Sequence, residues 1–226
     1  YAAEEAIAAG CDTFIFVTGR NKRAVEDHFD SNLELEAALR AKGKHAEAEN
    51  LRNIVPPHVK CIFVRQPEQL GLGHAVLCAE RAVGDEPFAV LLADDFLIGA
   101  VPGVMTDLIE AYTQSGKSQI SVMQVDGPQI SQYGVVRPGA GANEVAGLVE
   151  KPAPQDATSN LASIGRYLLT PDVFDILRDQ SPGHGGEVQL VDAIDTMAAG
   201  AAVCQVPLTG LRFDCGSLQG DLDAIK

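Results

Sequence analysis

Tryptophan is absent from this 226-residue sequence, aromatic residues make up only 5% of it, and basic residues are scarce. The 17 Lys and Arg side chains stand against 31 Asp and Glu, which gives a formal net charge of −14. A chain with this charge is not expected to bind DNA, RNA or an anionic membrane through its overall electrostatics. Long apolar runs are also missing, because stretches such as residues 13–17 and 88–93 are far shorter than the roughly 18 residues that span a bilayer. The sequence therefore predicts neither a nucleic-acid partner nor a membrane-spanning segment.

Disulfide and zinc patterns are equally missing. The five cysteines are odd in number and widely spaced, which is typical of reduced thiols in the cytoplasm. The five histidines show no zinc-ligand spacing, so any bound metal is expected to have oxygen ligands. The residues that follow Tyr1 do not have the pattern of a secretory signal. These features together predict a cytoplasmic protein.

What the chain does contain is enough apolar residues for a large core, with 46% hydrophobic and 21% charged residues. Strand-like stretches at Thr13–Thr18, Lys60–Arg65 and 88–93 are apolar and alternate with helical stretches. That alternation is typical of a parallel sheet covered by helices on both faces. Shorter strand-like segments begin at Ile120 and are expected to extend the same sheet. We predict one α/β domain over residues 1–226, with a Rossmann-like, doubly wound sheet that is mixed but mostly parallel.

An insertion at residues 31–55 separates the first two predicted strands and is rich in Glu, Lys, Arg and Ala. Its start at Ser31 fits a capping box, and Glu36 and Arg40 have the spacing of an ion pair on one helix face. Gly43 separates two short predicted helices. The segment is either a solvated helical hairpin or a lid or subunit contact, since insertions of this kind often carry function.

Candidate binding residues lie where predicted strands end, which is where open α/β sheets bind ligands. After the second strand, Gln66 is followed by Gly71 and Gly73 at the start of a helix. Two glycines let a ligand approach the main chain, and a helix start offers free N–H groups. Val76 stands where a dinucleotide fingerprint needs a third glycine. A structural turn and a nucleotide contact both fit this segment.

Acidic residues end three other segments. Asp94 and its neighbour Asp95 follow the third strand and are either Mg²⁺ ligands or part of a turn. Glu150 and Lys151 follow a later strand, where they either divide hydroxyl recognition and phosphate neutralisation between them or form a surface charge pair. Asp214 is either a second metal ligand or part of a plain turn at residues 212–216.

The order and spacing of these segments resemble the bacterial UTP–glucose-1-phosphate uridylyltransferases, which belong to the sugar nucleotidyltransferases. Single stretches are weak signals, but their joint order is specific and covers nearly the whole chain. The matching stretches are residues 17–30, 33–36, 63–66, 71–76, 92–95, 133–136, 149–152, 159–167, 186–195 and 214–217.

The resemblance implies a nucleotidyltransferase fold of the GT-A-like type. It implies transfer of a uridylyl group from UTP to glucose 1-phosphate, with UDP-glucose and pyrophosphate as products and Mg²⁺ as cofactor. It assigns the uracil edge to Gln66 and main-chain contacts beside the base to Gly71 and Gly73. It assigns the metal to Asp94, as a catalytic residue, and to Asp214.

The same resemblance assigns the sugar site. Gly134 and Gly165 are expected to line the sugar pocket, and Glu150 is expected to accept the glucose hydroxyls. Lys151 is expected to contact the sugar phosphate and to act in catalysis. A homo-oligomer, either a dimer or a tetramer, is expected because it is common in the family.

Two departures and three alternatives accompany this interpretation. The family begins with a strand and a glycine-rich phosphate loop that are not in this sequence, so we expect the given domain to lack them. Leu218 stands where the family usually has Lys. The alternatives are a related sugar-1-phosphate thymidylyl- or cytidylyltransferase, a metal-dependent glycosyltransferase, and a catalytically silent nucleotide-sugar-binding subunit.

Overall fold

The computed structural model describes residues 1–99, 103–216, 220, 222 and 224. Leu218, and Ser217 at the end of the last matching stretch, lie outside the described residues. The helices are α1 (Ala2–Ala8), α2 (Arg23–Phe29), α3 (Leu33–Ala41), α4 (His45–Arg52), α5 (Leu72–Cys78), α6 (Glu80–Val83), α7 (Val104–Ser115), α8 (Asp172–Asp179) and α9 (Leu190–Ala199). The strands are β1 (Thr13–Thr18), β2 (Lys60–Arg65), β3 (Phe88–Leu91), β4 (Asp95–Gly99), β5 (Ser118–Gln124), β6 (Gly134–Pro138), β7 (Val145–Glu150), β8 (Leu161–Leu169), β9 (Val203–Pro207) and β10 (Gly210–Asp214).

The first two strands form a parallel pair, as the sequence predicts. They run in register from Thr13 opposite Lys60 to Thr18 opposite Arg65. Both are rich in β-branched and aromatic residues, which favour extended backbone. Parallel pairing makes β1 and β2 end at the same edge, so the residue that follows β2 lies beside the end of β1.

A larger mixed sheet has the strand order β7-β6-β8-β5-β9, with β3 paired to β8 beside β6. β8 is antiparallel to β3, β5 and β6, whereas β5 and β9 are parallel. Among these described strands, β3, β5, β6 and β9 therefore point one way and β7 and β8 the other. The predicted α/β fold with a mixed sheet is confirmed, but among the described strands of this sheet only the β5–β9 pairing is parallel and the other four pairings are antiparallel, because β8 and β7 run against their neighbours.

Helices cover both faces of this sheet, as predicted. Along β8, Tyr167 and Leu169 pack into a core with α8 and α9. Leu168, between them, packs against α7. Consecutive strand residues point to opposite faces, so the two cores lie on opposite sides of the sheet. None of the helices in the described part of the chain is long and apolar enough to cross a bilayer.

The segment between β1 and β2 contains α3 and α4. Asn32, rather than Ser31, caps α3, because its Oδ1 accepts the Leu35 N–H at 3.0 Å. Arg40 donates to Glu36 at 3.0 Å, as the four-residue spacing predicts.

A separate antiparallel pair joins β4 and β10. A plain turn was one interpretation of residues 212–216 from the sequence, but residues 212–214 are part of a strand. In this ladder Asp95 lies opposite Asp214. Two acidic segments from distant parts of the chain are thus brought to one place.

Candidate active site

The two candidate metal ligands converge at the end of the β4–β10 ladder. Asp94 immediately precedes β4, and Asp214 ends β10. The N–H of Cys215 donates to the carbonyl oxygen of Asp94 at 2.8 Å. A Cβ added at Gly216 would lie 3.1 Å from both Asp94 Oδ2 and Asp214 Oδ1, so the two carboxylates flank that glycine. The structure therefore places side by side two carboxylates that are far apart in sequence.

This pair of carboxylates fits a magnesium ion. Within the described residues, no group of three or more His, Cys, Asp or Glu side chains is arranged to hold a metal. Mg²⁺ is usually bound through one or two carboxylates, with waters and substrate phosphates as its remaining ligands. Asp94 is exposed and Asp214 half-buried, so solvent and a phosphate have access to their oxygens. The donor set is all oxygen, which suits this hard cation.

Asp95 has a different environment from its neighbour. It is only 4% exposed, and its Oδ1 accepts the Nε–H of Arg212 at 2.9 Å. Its Oδ2 accepts the backbone N–H of Gly165 at 2.6 Å. A Cβ at Gly165 would lie 2.5 Å from the same oxygen, so this position needs glycine for packing alone. Asp95 is therefore part of the buried framework under the site.

Arg212 connects this framework to the sugar-site candidates. Its Nη1 donates to Tyr133 Oη at 3.1 Å, and its guanidinium lies 5.2 Å from the Tyr133 ring centroid. Burial is the largest single effect and lowers the pKa of the Arg212 guanidinium, but the hydrogen bond to Asp95 and the nearby negative charges together outweigh burial and raise that pKa. The backbone carbonyl oxygen of Tyr133 in turn accepts a hydrogen bond from the backbone N–H of Lys151 at 3.0 Å. Sequence reasoning missed Arg212.

Arg166 is a second buried cation that sequence reasoning missed. It is 1% exposed, and its Nε donates to Glu5 Oε2 at 3.0 Å. The same guanidinium donates to the carbonyl oxygens of Leu92 at 3.1 Å and Asp95 at 2.9 Å. Arg166 thus fixes α1 and the turn that carries Asp94. The sequence could have indicated this role, because Arg166 stands in a mostly apolar predicted strand, and a buried arginine needs hydrogen-bonding or charged partners.

Three of the sugar-site candidates, Gly134, Glu150 and Lys151, lie together at the paired ends of β6 and β7, whereas Gly165 lies in β8 beside Asp95. Gly134 is opposite Glu150, and a Cβ at Gly134 would lie 3.4 Å from Glu150 Oε2 and 3.1 Å from Val191 Cγ2. Lys151 has a φ of 45°, and its Nζ lies 3.5 Å from Glu150 Oε1. The Lys151 side chain is 54% exposed, so this ion pair holds it weakly. Its ammonium group is free to move to a phosphate.

Gln66, Gly71 and Gly73 form a second group beside α9. Gly71 has a φ of 98°, and a Cβ at Gly71 or Gly73 would lie 2.7 or 2.8 Å from the carbonyl oxygen of Val188. The N–H of Gly73 donates to that same oxygen at 2.8 Å. Close packing of the chain before α9 thus requires both glycines. The interpretation of this segment as a structural turn therefore has a physical basis. The segment 188–191 touches this group and also Gly134, which places the two groups along one edge.

The comparison with known families decides the classification. The sequence matches the nucleotidyl transferase family over residues 1–225. The chain belongs to this family. Among the relatives of this nucleotidyl transferase, the UTP–glucose-1-phosphate uridylyltransferase of Pseudomonas aeruginosa is 42% identical over 230 residues, which are 99% of this chain and 81% of that protein. The predicted resemblance to that group is confirmed.

Solved structures agree with this classification of the nucleotidyl transferase. A UTP-bound UGPase from Acinetobacter baumannii superposes with a TM-score of 0.91 at 39% identity, over 100% of this chain and 79% of that one. A UDP-glucose pyrophosphorylase complexed with UDP-glucose gives a TM-score of 0.87 at 41% identity, over 99% of this chain and 83% of that one. The predicted nucleotidyltransferase fold is confirmed.

Proposed function

We propose that this nucleotidyl transferase transfers a uridylyl group from UTP to glucose 1-phosphate, forming UDP-glucose and pyrophosphate. The observation that carries the proposal is the convergence of Asp94 and Asp214 beside Gly216. That convergence occurs in a chain whose relatives bear the name of this activity and include UTP-bound and UDP-glucose-bound structures.

The reaction needs no protein nucleophile. A phosphate oxygen of glucose 1-phosphate attacks the α-phosphorus of UTP, one P–O bond forms, and the bond to the leaving pyrophosphate breaks. The protein's task is to hold two polyanions in line and to offset their repulsion. Asp94 and Asp214 would hold Mg²⁺, which when bound neutralises charge on the phosphates.

The remaining candidate residues orient the two substrates. In the proposal, Lys151 places the attacking phosphate, and its weak pairing with Glu150 leaves the ammonium able to do so. Glu150 accepts hydroxyls of the sugar beside the backbone of Gly134, and Gly165 lines the same pocket. Gln66 binds the edge of the uracil, next to the main chain of Gly71 and Gly73.

The activity is tested by measuring pyrophosphate release from UTP and glucose 1-phosphate with Mg²⁺. We expect turnover that depends on all three components and a product that is UDP-glucose. Faster turnover with dTTP or CTP would replace the proposal with a sister transferase. Consumption of UDP-glucose in the presence of an acceptor, without pyrophosphate exchange, would replace it with a glycosyltransferase. Binding of UDP-glucose without any turnover would indicate a silent binding subunit.

We also propose a single domain over residues 1–226 with a helical insertion at 31–55, as a cytoplasmic homo-oligomer. The pairing of β3 with β8 supports the single domain, because it joins strands from the two halves of the chain. All five cysteines lie in the described residues as free thiols, which suits a reducing compartment. Light scattering of the purified protein tests the dimer or tetramer, and a monomeric mass would refute it.

A further inference from the structure

The Gln66 side chain is held by the protein on one side. Its amide nitrogen Nε2 donates to the carbonyl oxygen of Gly71 at 3.0 Å. The same nitrogen lies 3.0 Å from Nδ1 of His74, which is on α5. An amide nitrogen carries two hydrogens and has no acceptor site. Both hydrogens of Gln66 are therefore committed, one to Gly71 and the other to His74.

This arrangement also fixes the state of the His74 ring. Because the Gln66 nitrogen can only donate, Nδ1 of His74 must accept, and the ring is neutral with its proton on Nε2. That Nε2 lies 3.9 Å from Sγ of Cys78, one helical turn further along α5. Burial raises the pKa of the Cys78 thiol, so the sulfur faces the ring as an uncharged group. Both ring nitrogens have a partner, and His74 is a fixed acceptor for Gln66.

One polar side-chain atom of Gln66 remains for a ligand, the amide oxygen Oε1. The side chain is half-buried, and among the residues that the structure describes none donates to this oxygen. Turning the amide over would bring Oε1 against the carbonyl oxygen of Gly71 and would leave His74 without its donor. Gln66 therefore offers an acceptor, and no donor, to whatever binds beside it.

We propose that His74 is a positioning residue for base selection, because it holds Gln66 with Oε1 toward the base and so favours a pyrimidine that carries N–H at position 3. Uracil has that N–H and donates it to Oε1. Cytosine has a lone pair at the same position, so two acceptors would face each other and neither would be satisfied. The inference rests on the proposed function in one respect, since it takes Gln66 to be the residue that reads the base.

The test compares UTP with CTP in wild type, His74→Leu, His74→Asn and His58→Leu. The kcat/KM ratio for the two nucleotides is measured with glucose 1-phosphate as acceptor, and their equilibrium binding is measured separately. We expect wild type to prefer UTP by at least about 100-fold, and His74→Leu to reduce this preference by roughly 10-fold or more. His74→Asn should restore most of it, because the asparagine oxygen can accept from Gln66. His58→Leu removes an exposed histidine before β2 and should behave as wild type.

The outcomes separate the two proposals. A purely structural role for His74 would lower activity with both nucleotides in proportion, so an unchanged UTP-to-CTP ratio in His74→Leu overturns the positioning role. A His74→Asn variant as unselective as His74→Leu also overturns it. If wild type forms no UDP-glucose yet binds UTP in preference to CTP, and His74→Leu loses that preference, the proposed reaction fails and the positioning role stands.

Discussion

Two consecutive aspartates have opposite environments at the turn from β3 into β4. Asp94 is exposed and lies beside Asp214, whereas Asp95 is buried in a hydrogen-bonded ion pair with Arg212. The two residues are adjacent in sequence, but Asp94 lies in the turn and Asp95 begins β4, and their carboxylates have different partners. One is available to a ligand, and the other is part of the fold.

Replacing Asp94 with Ala separates these two roles. We expect Asp94→Ala to lower kcat by at least about 100-fold, because the proposed metal site loses one of its two carboxylates. Its free energy of unfolding should change by no more than about 0.5 kcal/mol, since an exposed side chain is removed. Turnover assays at saturating Mg²⁺ and thermal unfolding measure both quantities. Asp85→Ala, at another exposed aspartate, is the matched control, and near-normal turnover of Asp94→Ala would refute the metal assignment.

At the residue scale, the sequence indicated which residues form the candidate site, but it did not indicate which side chains they contact. The resemblance pointed to Asp94 and Asp214, and the structure brings them together. It could not show that Asp95 is the buried member of the pair, because its partner Arg212 is 117 positions away. Such pairing depends on the register of β4 with β10, which local sequence does not specify.

At the scale of elements, the turn from β2 into α5 packs closely against the chain before α9. The chain before α9 approaches Gly71 and Gly73 so closely that any side chain there would overlap Val188. This close approach also aligns α5, which carries His74, with the end of β2.

Gly73→Ala tests that packing. The new Cβ would lie 2.8 Å from Val188 O and 2.9 Å from Leu177 Cδ2, and one of these neighbours must move. We expect the free energy of unfolding to fall by about 1–3 kcal/mol, as for other overpacked sites. Chemical denaturation measures the change. Gly19→Ala is the matched control, since nothing lies within 4 Å of its added Cβ, and equal stability of the two variants would contradict the packing argument.

Elements with apolar runs were predictable, and elements that depend on distant partners were not. β1 and β2 have the predicted bounds, because hydrophobic runs bounded by polar turns are a local signal. β4 and β10 are short strands whose only ladder in the described residues is with each other. Their formation therefore rests on a long-range contact rather than on local propensity.

At the scale of the whole molecule, the buried Tyr167 makes the free energy of unfolding depend on pH in the alkaline range. Burial of the phenol in the central strand raises the pKa of Tyr167 to about 12, above its ordinary value of about 10. Between these values the unfolded chain loses the phenolic proton and the folded chain keeps it. Stability from this group is thus complete below pH about 10 and is lost as pH rises toward about 12.

Tyr167→Phe isolates this contribution because phenylalanine does not titrate. Among the described residues, the side-chain hydrogen bond to this hydroxyl is a long one from Ser163 Oγ at 3.4 Å, so the substitution is mild near neutral pH. Relative to wild type, the variant should gain roughly 2–3 kcal/mol of unfolding free energy between pH about 9 and about 12. Denaturation curves across that range give the difference, and a difference that stays constant with pH would contradict the assignment.

The β4–β10 ladder also sets the order in which the protein can acquire its ligands. Asp95 and Arg212 must meet across 117 positions before Asp94 and Asp214 share one location. Closing so long a loop is a slow, entropically costly event in folding. During synthesis, a nascent chain that ends before β10 has only half of the proposed metal site, so nucleotide is expected to stabilise it less than the complete chain. We expect UTP to protect the protein from proteolysis only after β10 has docked, which pulse proteolysis during refolding would detect.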